Sequence, residues 1–469
     1  MLPTELMAAI AAEGGGKVAL VVGAGCSFDA PTSLPLAGNM SEEAHRQLVD
    51  NNVLTEGECD EPWDLSKLAD LVKAKQDGSQ VALVECLPYN KFKNATANEG
   101  HLIAAALLLE GAITNIVTLN YDLALSNALS SIGVEHEVAV INGPEQHGQV
   151  STSNLIYLHR SVDCDFEEWI LTTEALESEW KEAWEESVAR AVISVPVTVF
   201  AGMGSSCGVL RHSTEKLQKA VGENANLILA DPCDPEKSKF ANELNIAEGN
   251  YVQMTWIPFM RQVGERFHKE VAAKVSSKLT SFAKRENFTD ENGKPEENVD
   301  ELTKRVKELG ILGFGEFRGS ILLDTKAFPK LEASHLSSIA GLLLAVGFVE
   351  RTADAVAMLR KDGHVEFTDG NKRSVTACLV DGSTDNLSWL SLETQMRSHE
   401  DSVRHKSGNK SRRVIAIGVT GMRPEDATPP KSIVRDVDTE SILEADEGFS
   451  FWDVSDFRTD ASNVTGLLS

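Results

Sequence analysis

The chain lacks paired cysteines, a long apolar run and an excess of positive charge, and each lack excludes something. Its seven cysteines, Cys26, Cys59, Cys86, Cys164, Cys207, Cys233 and Cys378, are scattered, and none forms a Cys-x-x-Cys pair. That spacing argues against a zinc knuckle or a disulfide framework, so no metal ligands are assigned. An odd, scattered set of this kind suits a reducing cytoplasm. No apolar stretch is long enough to span a bilayer, and Met1-Leu2-Pro3-Thr4-Glu5 carries no basic segment of the signal-peptide kind. A cytoplasmic protein without membrane association is expected. Lys and Arg number 44 against 71 Asp and Glu, a formal net charge of −27. Such a surface repels phosphate backbones and anionic lipid, so direct nucleic-acid binding is not expected outside a local basic patch.

What is present is material for at least two cores. The chain has 469 residues, 42% of them hydrophobic, and single cores stop growing near roughly 250–300 residues. The organising stretch is Val18-Ala19-Leu20-Val21-Val22, an apolar, β-branched run that reads as a buried parallel strand. Gly23-Ala24-Gly25-Cys26-Ser27 follows at once. Without Cβ atoms at Gly23 and Gly25, phosphates can lie against backbone N–H groups, and Ser27 adds a hydroxyl donor. A tight turn alone would explain the same glycines.

The strand–turn–helix plan then repeats. A short helix is expected over residues 3–12, and Ser41-Glu42-Glu43 reads as a helix opening. Leu65, Leu68, Leu71 and Val72 mark another helix. Asn98-Glu99-Gly100-His101 precedes an Ala- and Leu-rich helix, with His101 read as a capping or packing group. Further strands are expected at Asn115–Thr118, Glu137–Ile141, Asn154–Leu158, Ser194–Ala201, Asn226–Ala230 and Tyr251–Ile257. Asn120 and Asp122 follow the second strand, His159 the fourth and Asp231 the sixth. Ligands of open α/β sheets sit at such strand ends. Capping explains Asn120 and Asp122 equally well, and Asp231-Pro232 is equally a turn or a ribose acceptor. Residues 165–190, with Trp169, Trp180 and Trp184, read as an acidic helical covering module. A long helix is expected from Pro258 to Lys284.

Three segments in order resemble the SIR2 (sirtuin) superfamily: Gly23-Ala24-Gly25-Cys26-Ser27, Thr118-Leu119-Asn120-Tyr121-Asp122, and Leu158-His159-Arg160-Ser161-Val162-Asp163. They resemble its GAGxS, T-x-N-[YI]-D and catalytic-histidine patterns. Trp169-Ile170-Leu171-Thr172-Thr173 is similar to a segment of SIR2-like NADases from bacterial anti-phage defence, the KongMing type among them. The departures are Arg160 in place of glycine, Leu119 before the asparagine, the missing zinc cysteines, and Gly204-Ser205 without a following aspartate.

The resemblance implies a Rossmann-like, doubly wound parallel α/β sheet over residues 1–284. It implies NAD as substrate, with Asn120, Asp122 and His159 catalytic. Gly23, Ala24, Gly25, Ser27, Ser205 and Asp231 would bind the dinucleotide. Cleavage of the nicotinamide–ribose bond proceeds through an oxocarbenium ion, which water captures in an NADase and an acyl-lysine oxygen in a deacylase. The loss of the zinc module favours water. A non-catalytic nucleotide-sensing subunit is the alternative of another class.

Residues 285–300 are polar and turn-rich and read as a linker. Residues 301–469 read as a second, C-terminal α/β unit. Its expected elements are a helix at Val299–Leu309, a helix near Leu336–Val346, and strands at Ser320–Leu323, Ser374–Val380 and Val414–Val419. The basic run from Arg404 to Arg413 reads as a solvated loop. The family resemblance implies that this half regulates the first, in a homo-oligomer with a separate sensor subunit of the HAM1-like, Argonaute or HerA type.

Overall fold

The computed structural model describes residues 1–12, 15–132, 138–177, 195–204, 226–285, 298–319, 321–322, 333–352, 354–360, 364–372, 374–380, 414–418, 433–434 and 449–453. They belong to two compact units, Met1–Phe267 and His268–Ser469.

The first unit is built on a seven-stranded sheet. Its strands are β1 (Val18–Val22), β2 (Asn115–Thr118), β3 (Ala139–Ile141), β4 (Asn154–Tyr157), β5 (Val197–Ala201), β6 (Asn226–Ala230) and β7 (Tyr251–Val252). Their order is β3-β4-β2-β1-β5-β6-β7, and every neighbouring pair is parallel. β1, β4 and β5 are buried at every position, because strands covered on both faces need continuous apolar sequence. Ala19, Val21, Val117, Ile156 and Phe200 join Phe240 and Leu244 in one core cluster. The helix Thr4–Ile10 packs on β1 and β5, burying Leu6, Ala9 and Ile10. This is the doubly wound α/β architecture expected from the repeated strand–turn–helix plan.

The chain leaves β1 for β2 on one side and later places β5 on the other. The strand order therefore reverses at β1, and a crevice opens beyond the carboxyl ends of β2, β1 and β5.

Several local expectations need correction. β7 ends at Val252, because the helix Trp256–Arg285 already begins at Trp256. The indole of Trp256 donates to Asn98 Oδ1 at 3.2 Å and so belongs to a helix start. Ser41 does not open a helix. It is buried inside the helix Ala37–Asp50, which starts a turn earlier. The Leu65–Lys75 helix is capped by Asp64, which accepts from the Ser66 and Lys67 amides. In the Trp-rich segment, Trp169 is a core residue and a short helix covers Thr173–Glu177. Trp180 and Trp184 lie outside the described residues.

The second unit holds another sheet. Its strands are β8 (Ile321–Leu322), β9 (Ala355–Arg360), β10 (His364–Asp369), β11 (Ser374–Val380), β12 (Val414–Gly418), β13 (Ile433–Val434) and β14 (Phe449–Asp453). The order is β13-β14-β12-β11-β10-β9, with β8 beside β11. β9, β10 and β11 pair antiparallel and the remaining pairs are parallel. The helices Asn298–Gly319 and Ala333–Thr352 are linked by an Arg305–Glu350 ion pair at 2.8 Å. The first of them breaks at Gly310, whose φ of +65° is left-handed. The β9–β10 hairpin, β13 and β14 were not foreseen. Of the linker expected at 285–300, Arg285 still belongs to the helix Trp256–Arg285 and residues 298–300 already open the helix Asn298–Gly319. Residues 286–297, like the basic run at 404–413, lie outside the described residues.

Candidate active site

The Gly23–Ser27 loop leaves β1 as a single 3-10 turn, Ala24–Ser27. Its glycines answer first to a neighbouring backbone. A Cβ on Gly23 would stand 2.6 Å from the Gly202 carbonyl oxygen, and one on Gly25 would stand 2.8 Å from Gly202 Cα. Gly202, at the end of β5, has φ of +66°, and a Cβ there would meet the Cys26 nitrogen at 2.5 Å. The Gly23 and Gly25 amides donate to the carbonyls of Ala201 and Gly202, each at 3.0 Å. Two loops at the switch point thus interlock through glycine. Cys26 is sealed beneath them, donating to the Ala201 carbonyl at 3.4 Å. Burial pushes its thiol well above the ordinary range.

β2 delivers Asn120 and Asp122 to the same place. Asn120 Nδ2 donates to the Gly23 carbonyl at 3.2 Å and to Ser27 Oγ at 3.3 Å. Ser27 Oγ in turn donates to Asp122 Oδ2 at 2.9 Å. Asp122 Oδ1 accepts the Ala124 amide at 3.0 Å, the first amide of the helix Ala124–Ser131, from one position before its N-cap residue Leu123. Burial raises the Asp122 carboxyl above its ordinary range, against the pull of these donors. Helix-start and site roles therefore meet in one side chain.

β4 delivers His159. The ring is buried, and burial pushes it down to about 4. A hydrogen bond with the Leu119 backbone and the charge of Arg160 act on it in opposite directions. Nε2 is buried without a hydrogen-bond partner among the described residues. Arg160 adopts φ of +76°, a left-handed conformation that residues with a Cβ rarely take. The chain thus keeps, with an arginine, a backbone shape that suits glycine.

These groups line a single crevice of about 960 Å³ with Gly204 and Asp231 on its wall. That volume is in the range of cofactor sites. Asp231 has both oxygens engaged. Oδ1 accepts from the Cys233 amide at 2.9 Å and Oδ2 from Ser238 Oγ at 2.6 Å. The turn reading is realised there. Ser205 lies outside the described residues. Among the described residues, no group of His, Cys, Asp and Glu is placed to hold a metal ion. Among them also, no helix is long and apolar enough to cross a membrane.

Sequence reasoning missed the supports of the site. Asn98 Nδ2 donates to the Cys26 carbonyl at 2.9 Å, and its Oδ1 accepts from the His101 amide and the Trp256 indole. His101 completes a capping box with Asn98 and serves as the cap expected of it. Gly100 leaves room for Trp256, since a Cβ would sit 2.2 Å from its Nε1. The signal was the Asn-x-x-His spacing, but Trp256 lies too far along the chain for any local pattern to show. Trp63, half exposed on the crevice wall, carried no local signal either.

No protein-family model and no curated protein matches the chain. Solved structures do resemble it. A Sir2 homologue in complex with NAD is 15% identical, over 57% of this chain and 95% of its own, with a TM-score of 0.36. A mutant Sir2 homologue in complex with ADP-ribose is 16% identical, over 57% and 97%, with a TM-score of 0.33. Sir2 bound to an inhibitor, 2'-O-acetyl-ADP-ribose and a deacetylated peptide is 13% identical, over 53% and 93%, with a TM-score of 0.29.

Proposed function

We propose that this chain is an NAD glycohydrolase, cleaving NAD to nicotinamide and ADP-ribose. The observation that carries the reading is His159, whose buried Nε2 has no hydrogen-bond partner among the described residues, lining the same crevice as the Ser27–Asn120–Asp122 network. A buried polar atom without a partner calls for an explanation, and a bound reactant supplies one.

In this reading the Gly23–Ser27 loop lies against the diphosphate, which Ala24 and Ser205 are proposed to contact, while the Gly23 and Gly25 amides and the Ser27 hydroxyl already donate to Ala201, Gly202 and Asp122 and shape the loop. Asp231 accepts a ribose hydroxyl. Asn120 positions the nicotinamide ribose or the attacking water. The C–N bond to the pyridinium breaks with its electron pair moving to nitrogen, so nicotinamide leaves neutral. Asp122 and its neighbours stabilise the oxocarbenium ion. Water then forms the new C–O bond and gives its proton to His159, which passes it to solvent. Burial favours the neutral imidazole, the form that can accept a proton, and the same burial makes it a weaker base until a bound reactant changes its surroundings.

The wider role follows from the chemistry. Uncontrolled loss of NAD kills a cell, so the second unit is assigned to regulation, in a homo-oligomer switched by a separate sensor subunit. An effector of bacterial anti-phage defence, acting in the cytoplasm, is the setting that fits. Purified full-length protein, alone and with candidate partners, should convert NAD to nicotinamide and ADP-ribose by chromatography. NAD that is bound but never consumed would make the chain a nucleotide sensor. Consumption only with an acyl-lysine peptide would make it a deacylase.

A further inference from the structure

Past the ends of β2 and β4 the two chains separate. Leu158 N–H still donates to the Thr118 carbonyl at 2.9 Å, and then Asn120 and Asp122 go one way and His159 another. The loop that carries His159 begins with Arg160 in a left-handed conformation, its amide donating to the Tyr157 carbonyl at 3.3 Å. Conformations of this kind persist only where the surroundings impose them.

Tyr121 imposes it from both ends. Its carbonyl accepts the Val162 N–H at 2.9 Å, just beyond Arg160. Its hydroxyl donates to the Ile170 carbonyl at 2.8 Å, and the Ile170 N–H donates back to the His159 carbonyl at 3.3 Å. The Tyr121 ring neighbours both Trp169 and His159. It stacks on Trp169 at 4.4 Å with only 6° between planes, and its centroid is 6.5 Å from the His159 imidazole at 35°. Trp169 is itself held, since its carbonyl accepts from Gln80 Nε2 at 2.8 Å and Phe92 packs beside both rings. Tyr121 is therefore rigid, and it stands in sequence between Asn120 and Asp122.

We propose that Tyr121 is a positioning residue for His159, fixing the imidazole relative to the Asn120–Asp122 strand end through its ring stack and its hydroxyl. The proposal rests on the reading of His159 as the base, whereas the clamp itself is independent of which reaction occurs. Small displacements of a catalytic group cost up to roughly a hundredfold in rate, so a clamp of this kind should act on kcat more than on KM.

The test uses the full chain with Tyr121→Phe and Tyr121→Leu. The first keeps the stack and removes the hydroxyl; the second removes both. Each is assayed for kcat and KM with NAD, and the His159 imidazole is titrated by NMR without substrate. Arg160, whose charge also acts on His159, is present in all forms. Tyr121→Phe should lower kcat several-fold with KM within twofold. Tyr121→Leu should lower kcat roughly ten- to a hundredfold, with His159 titrating closer to its ordinary value as the ring loosens. Tyr121→Phe with the parent kcat and the parent His159 titration would overturn the proposal, even if Tyr121→Leu fails to fold. If the parent itself cleaves no NAD, the NMR titration decides alone: an altered His159 in Tyr121→Phe supports the clamp, and an unaltered one removes it.

Discussion

Ser27 Oγ and Asp122 Oδ2 stand 2.9 Å apart although 95 positions separate them in the chain. The hydroxyl closes the loop after β1 onto the loop after β2. It also gives a buried carboxylate a donor it would otherwise lack. Removing a donor to a buried acceptor costs about 1–3 kcal/mol. Ser27→Ala should therefore lower the melting temperature of the first unit and weaken NAD binding together. Calorimetry with and without NAD checks both, and an unchanged melting temperature would mean that water replaces the hydroxyl fully.

His159→Ala should separate chemistry from folding. Loss of a general base typically costs roughly 10²–10⁴-fold in rate. The lost ring includes a buried nitrogen that no group among the described residues satisfies, so part of the packing loss is offset. The expected outcome is lost NAD cleavage with retained NAD binding and a melting temperature close to the parent. Cleavage at the parent rate would end the catalytic assignment.

Asn120→Ala removes the amide that bridges Gly23 and Ser27. Its effect should fall on rate at the scale of a lost transition-state contact, about 3–4 kcal/mol, or roughly 10²–10³-fold in kcat. Steady-state kinetics at saturating NAD measures it, and an effect confined to KM would assign Asn120 to ground-state binding alone.

Gly202→Ala should be the most damaging small substitution at the site. Its φ is left-handed, and the added carbon would stand 2.5 Å from the Cys26 nitrogen. Backbone cannot yield there without parting the loops after β1 and β5. Loss of NAD binding with a lowered melting temperature is expected. Gly204→Ala, where a Cβ meets nothing within 4 Å among the described residues, is the control and should fold as the parent does.

The pH dependence has a definite sign. Burial holds His159 down to about 4 and His101 down to about 3, against an ordinary value of 6.5. Between these values the unfolded chain binds protons that the native chain refuses. Their contribution to stability is complete above about 6.5 and is lost progressively as the pH falls toward about 4. Denaturant midpoints measured from pH 8 to 4 should fall along that window. The acid limb of NAD cleavage should lie near pH 4, and a limb near 6.5 would show that His159 is solvated when substrate binds.

By itself the sequence determined most elements of the first unit, though not all of their ends. The apolar runs of β1, β2 and β6 are local, and so is the pairing of Asn98 with His101 at a helix start. Strands covered on both faces and helix caps are written within a few residues, which is why they can be read there. The sequence also placed Asn120, Asp122 and His159 at strand ends. Where those ends meet was decided by tertiary structure, through the strand order that sets β5 and β2 on either side of β1. The same order gave Gly23 and Gly25 a neighbour in Gly202, engaged both oxygens of Asp231, and drew Trp256 onto Asn98. It also set Tyr121 against Trp169 and His159. Apart from the Asp231 bonds, which close within seven residues, each of these contacts joins residues too far apart in the chain for any local pattern to relate, so only the folded chain could bring them together.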